Sequence, residues 1–278
     1  MNHRNIRQSG IIDQTQIETT KVGIIGAGAI GRQLAVMLGV MGVGHIEIID
    51  NDIVDTENLG CQGHLEKQVG MNKAVAVAET IAEINSCIKV VPYKERYYGP
   101  EMNLTGMAAV FSCVDQMDVR KYLFDNWRCS NVPLFVDGRM SAMTCRSIAA
   151  NRGKPETLRY YQKTLFEQKD GVIAPCTAKS TFFNANIAAG LMVGMFVNEL
   201  FLKMSYSEKD VLLNIPAFML SVDADNELDD NPQSPDSQHL LRGSQFSTVL
   251  TAESTRITPS ESLPSAGSPA DLRCPTTL

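Results

Sequence analysis

A glycine-rich segment, GAGAIG at residues 26–31, constrains the fold of this chain more than any other feature. The β-branched run Lys21–Ile25 precedes it, and the helical pattern Ile30–Met41 follows it. A G-x-G-x-x-G segment between a strand and a helix is typical of a βαβ unit that binds a nucleotide. The sequence therefore predicts a nucleotide site at the end of the first strand.

Each glycine has its own physical role at such a site. Gly26 allows the tight turn, Gly28 lets the backbone approach phosphate, and Gly31 lets the helix pack on the strand. The N–H groups at the helix start, near Ala29, offer donors and a positive dipole to an anion. Asp50 ends the next predicted strand, at the distance usual for an acid that binds ribose. These residues predict a nucleotide without specifying which one.

Strand-like and helix-like segments alternate before residue 225, which predicts a Rossmann-like α/β fold. We expect a mainly parallel sheet with helices on both faces. Thr144–Ala150 and Val211–Val222 predict further strands, the latter interrupted by Pro216, with antiparallel strands toward the C-terminal part. The polar and aromatic stretch Asn151–Ala174 is expected to form a loop with a helical turn.

Composition divides the chain into two parts. Residues 1–225 contain the alternating segments and are predicted to form one nucleotide-binding domain. From Asn226 onward the sequence is rich in Ser, Thr and Pro, with one aromatic residue, Phe246. Such a sequence buries too little apolar surface to offset its ordering entropy. Residues 226–278 are therefore predicted to be a disordered tail.

Composition also excludes several classes of protein. A net charge of -6, from 25 basic and 31 acidic residues, argues against a protein that binds nucleic acid. The seven cysteines include no C-x-x-C pair, so neither zinc nor a disulfide framework is expected. The polar N-terminus and the cysteine pattern predict a cytoplasmic protein without a signal peptide. The nearest candidate for a membrane span, Ile187 to Phe201, contains Asn198 and Glu199 and predicts a buried helix, so no membrane association is expected.

Five short segments beyond the glycines carry charged, amide or thiol side chains in a fixed order. They are Arg7-Gln8; Asp50-x-Asp52-x-Val54 with Asn58-Leu59-x-x-Gln62; Val69-Gly70-x-x-Lys73-Ala74; Asp115 with Arg120; and Ala174-Pro-Cys176-Thr177. Together they resemble the ThiF/MoeB family, the bacterial relatives of ubiquitin-activating enzymes. The resemblance runs from about residue 7 to residue 224 and covers nearly all of the predicted domain.

The resemblance implies an enzyme that uses ATP and Mg²⁺ to adenylate a C-terminal carboxylate. The substrate would be a ubiquitin-like or sulfur-carrier protein, or a peptide. In some family members a cysteine then takes the acyl group, and Cys176 matches that cysteine. The implied nucleotide-binding residues are Gly26, Gly28, Ala29, Gly31, Asp50, Asp52, Asn58, Gln62, Lys73 and Arg120.

Adenylation explains why such residue types would be needed. Negative charge spreads over the phosphate oxygens during the reaction, so catalysis depends on positioning and on fixed positive charge. By the resemblance, Lys73 and Arg7 supply that charge, and Asp115 holds Mg²⁺. A lysine in the first turn of a helix is locally unfavourable for the helix dipole, which favours a ligand role for Lys73.

The resemblance also implies a homodimer. The segment Met1–Gln16 is polar and short of apolar residues, so we expect it not to order on its own monomer. In the family, the arginine that matches Arg7 reaches the ATP of the neighbouring subunit. Each of the two sites would then be completed by the other chain.

Three positions depart from the family pattern: Cys61 replaces an arginine, Glu57 a serine and Gln116 an asparagine. Arg139, just after the fifth predicted strand, could replace the lost phosphate contact. Without compensation the chain would be a non-catalytic paralogue that scaffolds an active partner. An NAD-dependent oxidoreductase is a further alternative, because the glycines and Asp50 also suit NAD. That alternative assigns no role to Lys73, Arg7 or Asp115.

Overall fold

The computed structural model describes residues 3–97, 104–167, 181–203 and 210–222. Within them, eight strands form one sheet: Lys21–Ile25 (β1), His45–Ile49 (β2), Lys89–Tyr93 (β3), Ala109–Ser112 (β4), Leu134–Ser141 (β5), Thr144–Asn151 (β6), Asp210–Asn214 (β7) and Met219–Val222 (β8). The α-helices are Gln14–Thr19 (α1), Ala29–Met41 (α2), Thr56–Gln62 (α3), Lys73–Ile84 (α4), Met117–Cys129 (α5), Pro155–Lys163 (α6) and Phe182–Val197 (α7). Shorter helical turns are the 3-10 helices His3–Gln8 and Glu66–Gln68 and the π-helix Asn198–Leu202.

The sheet order is β3-β2-β1-β4-β5-β6-β7-β8. The first five strands in this order are parallel, and β6, β7 and β8 join by antiparallel pairing. This confirms the predicted Rossmann-like sheet with antiparallel strands toward the C-terminal part. From β1 the chain adds β2 and then β3 on one side of β1, and it then adds β4 and β5 on the other side. The direction of strand addition therefore reverses between β1 and β4, which makes this a topological switch point. Ligands of such sheets bind at the carboxyl ends of the strands at this point.

Alternation along the strands builds two cores, one on each face of the sheet. Ile24 of β1 points into the first core, which α2, α4 and α7 cover with residues such as Leu34. The next residue, Ile25, points into the second core, which α5 and α6 cover with Trp127 and Tyr161. Successive strand residues face opposite sides, so both layers are apolar, as the predicted helices on both faces require.

The C-terminal half differs from the sequence-based prediction in one place. The segment expected to be a loop with one helical turn contains the nine-residue helix α6, which begins at Pro155 and buries Tyr161. Proline suits the first turn of a helix, where its missing N–H has no helical partner. The interruption predicted at Pro216 within Val211–Val222 is confirmed, because β7 and β8 form a hairpin and Pro216 lies in the turn between them.

The helix α7 with its π-helical extension, Phe182–Leu202, is long and apolar enough by length and composition to cross a membrane. It packs on β5 and β6 and against α2. Within it, Asn184 is completely buried and donates to the carbonyl oxygens of Ala142 and Thr144, at 3.0 Å and 3.2 Å. One face of the helix therefore packs in the core, but only 33% of its apolar window is buried, so the helix is less buried than predicted.

The N-terminal segment is ordered on its own chain, contrary to the expectation for Met1–Gln16. Gln8 Nε2 donates to the Met41 carbonyl oxygen at 2.6 Å, and Arg4 Nη1 donates to the Ile84 carbonyl oxygen at 2.6 Å. These carbonyls end α2 and α4, where helices leave acceptors without helical partners. Hydrogen bonds from polar side chains therefore hold this segment, which has few apolar residues, against the ends of α2 and α4.

Candidate active site

The glycine loop joins β1 to α2 at the switch point. Gly26 has a φ of 92°, and a Cβ there would lie 2.7 Å from the carbonyl oxygen of Cys113, the residue just after the adjacent strand β4. At Gly31 a Cβ would lie 1.8 Å from the Gly26 carbonyl oxygen, so the helix could not approach the loop. Nothing lies within 4 Å of the corresponding position at Gly28, the N-cap of α2. The loop is thus tight on the protein side and open above the helix start, where a phosphate would fit.

Asp50 ties this loop to the end of β2. One carboxylate oxygen accepts the Ala27 N–H at 2.6 Å, and the other accepts the Asp52 N–H at 2.8 Å. Burial raises the pKa of Asp50, and these two bonds and the charge of Lys73 oppose that rise. A carboxylate has about four acceptor positions. Asp50 therefore holds the loop and keeps acceptor capacity for ribose hydroxyls.

Lys73 begins α4 beside Asp52. Its ammonium lies 3.0 Å from an Asp52 carboxylate oxygen, and its N–H donates to the Asp52 carbonyl oxygen at 2.8 Å. The lysine side chain is 10% exposed and the aspartate side chain 61%. Asn72 caps the helix and donates to the Asp50 carbonyl oxygen at 2.8 Å. The start of α4 is thereby fixed against the same strand end as the glycine loop.

The helix α3 carries two further residues predicted to bind nucleotide. Asn58 accepts the Asp55 N–H at 3.2 Å and so completes the capping box of its own helix. The Gln62 carbonyl oxygen accepts from Gln33 Nε2 at 2.6 Å, which ties α3 to α2. The buried Gln62 Oε1 has no hydrogen-bond partner in the described part of the chain. Cys61 Sγ lies 3.7 Å from the Glu57 carbonyl oxygen of its own helix.

Asp115, the predicted Mg²⁺ ligand, is exposed at the carboxyl end of β4, next to β1. Across the described ranges, no group of three or more His, Cys, Asp or Glu residues is arranged to hold a metal. Mg²⁺ usually takes only one or two carboxylates and completes its shell with water and substrate phosphates. An exposed carboxylate at this edge fits that mode of binding.

Arg120 and Arg139 both bind Asp137, which is completely buried on β5. Arg120 Nη1 lies 3.0 Å from one carboxylate oxygen, and Arg139 Nε lies 2.7 Å from the other. Arg139 also donates twice to Thr164, and Arg120 donates to the Val114 carbonyl oxygen. Burial alone would raise the pKa of Asp137, but the two guanidinium charges outweigh it and lower that pKa.

These contacts occupy much of the donor capacity of both arginines. Both arginines lie on the face of the sheet that α5 and α6 cover, opposite the face that α2 and α4 cover. Phosphate binding by Arg120 or Arg139 therefore stays a prediction that this arrangement does not favour.

His64, which the sequence analysis passed over, is buried between α3 and α4. Its pKa is lowered to about 4, by burial first and then by the charges of Arg32 and Lys73. Neither ring nitrogen makes a hydrogen bond of normal geometry in the described part of the chain. The Ala27 backbone and the Gln68 side chain lie close enough to oppose the shift. His64 is thus a neutral ring beside two cations at neutral pH.

The structure brings most of the predicted residues to one edge of the sheet: the glycine loop, Asp50, Asp52, Lys73 and Asp115. Arg7 lies elsewhere: its neighbour Gln8 bonds to the last residue of α2, while the glycine loop begins that helix. A 13-residue helix is about 20 Å long. Cys176 lies outside the described residues.

A model of the family described as ThiF matches residues 2–227. The chain belongs to the ThiF family. This confirms the resemblance drawn from the five segments.

Curated relatives with similar sequences carry the name adenylyltransferase and sulfurtransferase. The MOCS3 protein of Dictyostelium discoideum is 39% identical over 89 residues, which are 32% of this chain and 21% of that protein. UBA4 of Saccharomyces cerevisiae strain ATCC 204508 / S288c is 29% identical over 202 residues, 69% of this chain and 46% of that protein. This chain therefore spans less than half the length of these relatives.

Solved structures with the same fold include E. coli MccB with ATP and PaaA. MccB with ATP superposes with a TM-score of 0.63 at 18% identity, over 81% of this chain and 72% of that one. PaaA gives a TM-score of 0.62 at 16% identity, over 80% and 68%. At these identities the comparison establishes the ThiF fold.

The arrangement around Asp137 leads to a test of its structural role. Asp137→Ala should lower the free energy of unfolding by about 3–5 kcal/mol, because two buried guanidinium groups lose their counter-charge. Urea unfolding measures this loss. Asp125→Ala, which changes an exposed residue of α5, serves as the control and should have little effect. Equal stabilities of the two variants would contradict a structural role for this ion cluster.

The lowered pKa of His64 predicts a pH-dependent stability. Between pH 6.5 and pH 4, the unfolded chain binds a proton at this ring and the folded chain does not, so stability falls as the pH falls. We expect the wild type to lose about 2 kcal/mol more than His64→Gln between pH 7 and pH 5. Urea unfolding at both pH values gives this difference. The same loss in both proteins would show that His64 titrates normally.

Proposed function

We propose that this chain is an ATP- and Mg²⁺-dependent adenylyltransferase. Its substrate would be the C-terminal carboxylate of a ubiquitin-like or sulfur-carrier protein, or of a peptide. The observation that carries the proposal is the joint placement of the glycine loop, Asp50 and Lys73 at the switch point. Membership of the ThiF family and the names of the relatives support it. A structure of E. coli MccB with ATP supports a nucleotide at this fold, and one with MccA supports a peptide substrate.

Each group at the site has a task in adenylation. A substrate carboxylate oxygen attacks the α-phosphorus, and pyrophosphate leaves. The N–H groups at the start of α2 and the Lys73 ammonium are fixed donors and charge for the phosphate oxygens. Lys73 is largely buried, so its charge acts at lower dielectric than in water. Asp52 keeps the lysine in place from the solvent side.

Ribose and metal would be held by carboxylates at the same edge. Asp50 would accept hydroxyl hydrogens of the ribose with the lone pairs left free by Ala27 and Asp52. Asp115 would hold Mg²⁺ through its exposed carboxylate. When bound, Mg²⁺ supplies positive charge that offsets the charge of the phosphates. Acyl transfer to Cys176 is a further step that the family resemblance suggests.

A second candidate is a non-catalytic paralogue, and Cys61 favours it. Its thiol donates to the Glu57 and Asn58 carbonyl oxygens of its own helix and, as a neutral group, brings no positive charge to phosphate. Arg139, the residue predicted to compensate, is bound to Asp137 and Thr164. Pyrophosphate exchange by the wild type separates this candidate from the enzyme.

The proposed enzyme acts as a homodimer. Arg7 is exposed, and its segment sits at the end of α2 remote from the glycine loop of the same chain. It therefore suits the phosphates of a neighbouring subunit and not those of its own site. An exposed arginine on an ordered segment also loses less conformational freedom on binding than one on a mobile arm.

Replacing Lys73 tests the site directly. Lys73→Ala should leave the fold intact and reduce ATP–pyrophosphate exchange by about 100-fold or more, because it removes fixed charge at the phosphates. Lys67→Ala, which removes another lysine that pairs with an acid, is the control and should keep wild-type exchange. Undiminished ATP–pyrophosphate exchange by Lys73→Ala would contradict the proposal that ATP binds at this edge of the sheet.

Subunit mixing tests the shared site. Arg7→Ala and Lys73→Ala should each be inactive alone. After co-refolding in equal amounts, about a quarter of wild-type activity should return, since half the dimers are mixed and each carries one intact site. Pyrophosphate exchange is the measurement. Heterodimers that form without any return of activity would show that Arg7 does not act across the interface.

A further inference from the structure

Arg32 is a buried cation whose charge no described residue neutralises. It lies in the first turns of α2, one residue after the last glycine of the loop, and is 7% exposed. Its Nη1 donates to the neutral Gln33 Oε1 at 3.1 Å, and its Nε has no partner in the described ranges. No ion pair with an acid is formed by Arg32 among those residues. Burial disfavours the charged form of the Arg32 guanidinium and lowers its pKa.

The position of Arg32 is costly for a folded protein without a ligand. A buried charge without a counter-charge lowers stability, and a cation near a helix N-terminus faces the positive end of the helix dipole. Side chains on a helix lean toward its N-terminus, so the guanidinium leans toward the glycine loop. The open space above Gly28 lies at that end of the helix.

The surroundings of Arg32 identify the kind of ligand. Its charge and that of Lys73 both act on the buried His64, so both cations lie near that ring. His64 is neutral there at pH 7 and cannot supply a negative charge. A multiply charged anion that reaches the helix start and both cations would satisfy the unpaired guanidinium. Guanidinium groups bind phosphate by paired N–H donors.

We propose that Arg32 binds the polyphosphate chain of the nucleotide and supplies the positive charge that Cys61 does not. The inference rests on the proposed function only in taking the anion to be the polyphosphate of ATP. Arg32 then acts in ligand binding at the expense of the stability of the empty protein.

Calorimetric titration with tripolyphosphate and with adenosine tests this role. Arg32→Met should weaken tripolyphosphate binding by about 10- to 100-fold, the loss expected for a charge-assisted hydrogen bond, and leave adenosine binding unchanged. The thermal midpoint of the ligand-free variant should equal or exceed that of the wild type. Arg159→Met, an exposed arginine of α6, is the matched control and should leave all three values unchanged.

Unchanged tripolyphosphate affinity in Arg32→Met would overturn the proposal. If that variant does not fold, the wild type still gives the answer by NMR. The Arg32 Nε–H resonance should shift on titration with tripolyphosphate and not with adenosine, and the opposite pattern would overturn the proposal. Pyrophosphate exchange by the wild type is measured in parallel. If the wild type shows no pyrophosphate exchange but tripolyphosphate binding still depends on Arg32, only the proposed enzymatic function is contradicted.

Discussion

The site depends on one partly buried carboxylate that joins two strand ends. Asp50 accepts the N–H of Ala27 in the glycine loop and the N–H of Asp52 after β2, at 2.6 Å and 2.8 Å. This bridge fixes the loop relative to the start of α4, because Asp52 in turn holds Lys73. The groups proposed to bind phosphate and ribose and the proposed catalytic cation thus form one preorganised unit. Preorganised charge is what a reaction at phosphorus requires.

The two faces of the sheet use arginine in opposite ways. On the α5–α6 face, Arg120 and Arg139 share the buried Asp137, so their charges are balanced within the protein. On the α2–α4 face, Arg32 is buried without an acid among the described residues. A balanced cluster stabilises the fold, whereas an unbalanced cation stabilises a complex with an anion. The same residue type therefore marks structure on one face and ligand binding on the other.

Sequence patterns predicted the sheet, most of its elements and the residues at its carboxyl edge, because glycine spacing and alternation are local properties. They missed the helix α6, whose apolar residues are few, and the order of the N-terminal segment, which rests on side chains bonding to distant carbonyls. Periodicity likewise could not distinguish the buried Arg32 from a solvated one, nor find the shared carboxylate of Asp137. Those features depend on which helices and strands pack against each other, and the local sequence pattern does not encode that packing.

The central claim is that the glycine loop and Asp50 serve ATP in an adenylation reaction. Calorimetric titration of the wild type with ATP and Mg²⁺, and separately with NADH, tests it most directly. We expect ATP to bind, Asp50→Ala to weaken that binding, and NADH not to compete with it. Tight binding of NADH, with ATP binding absent or independent of Asp50, would contradict the claim and favour an oxidoreductase.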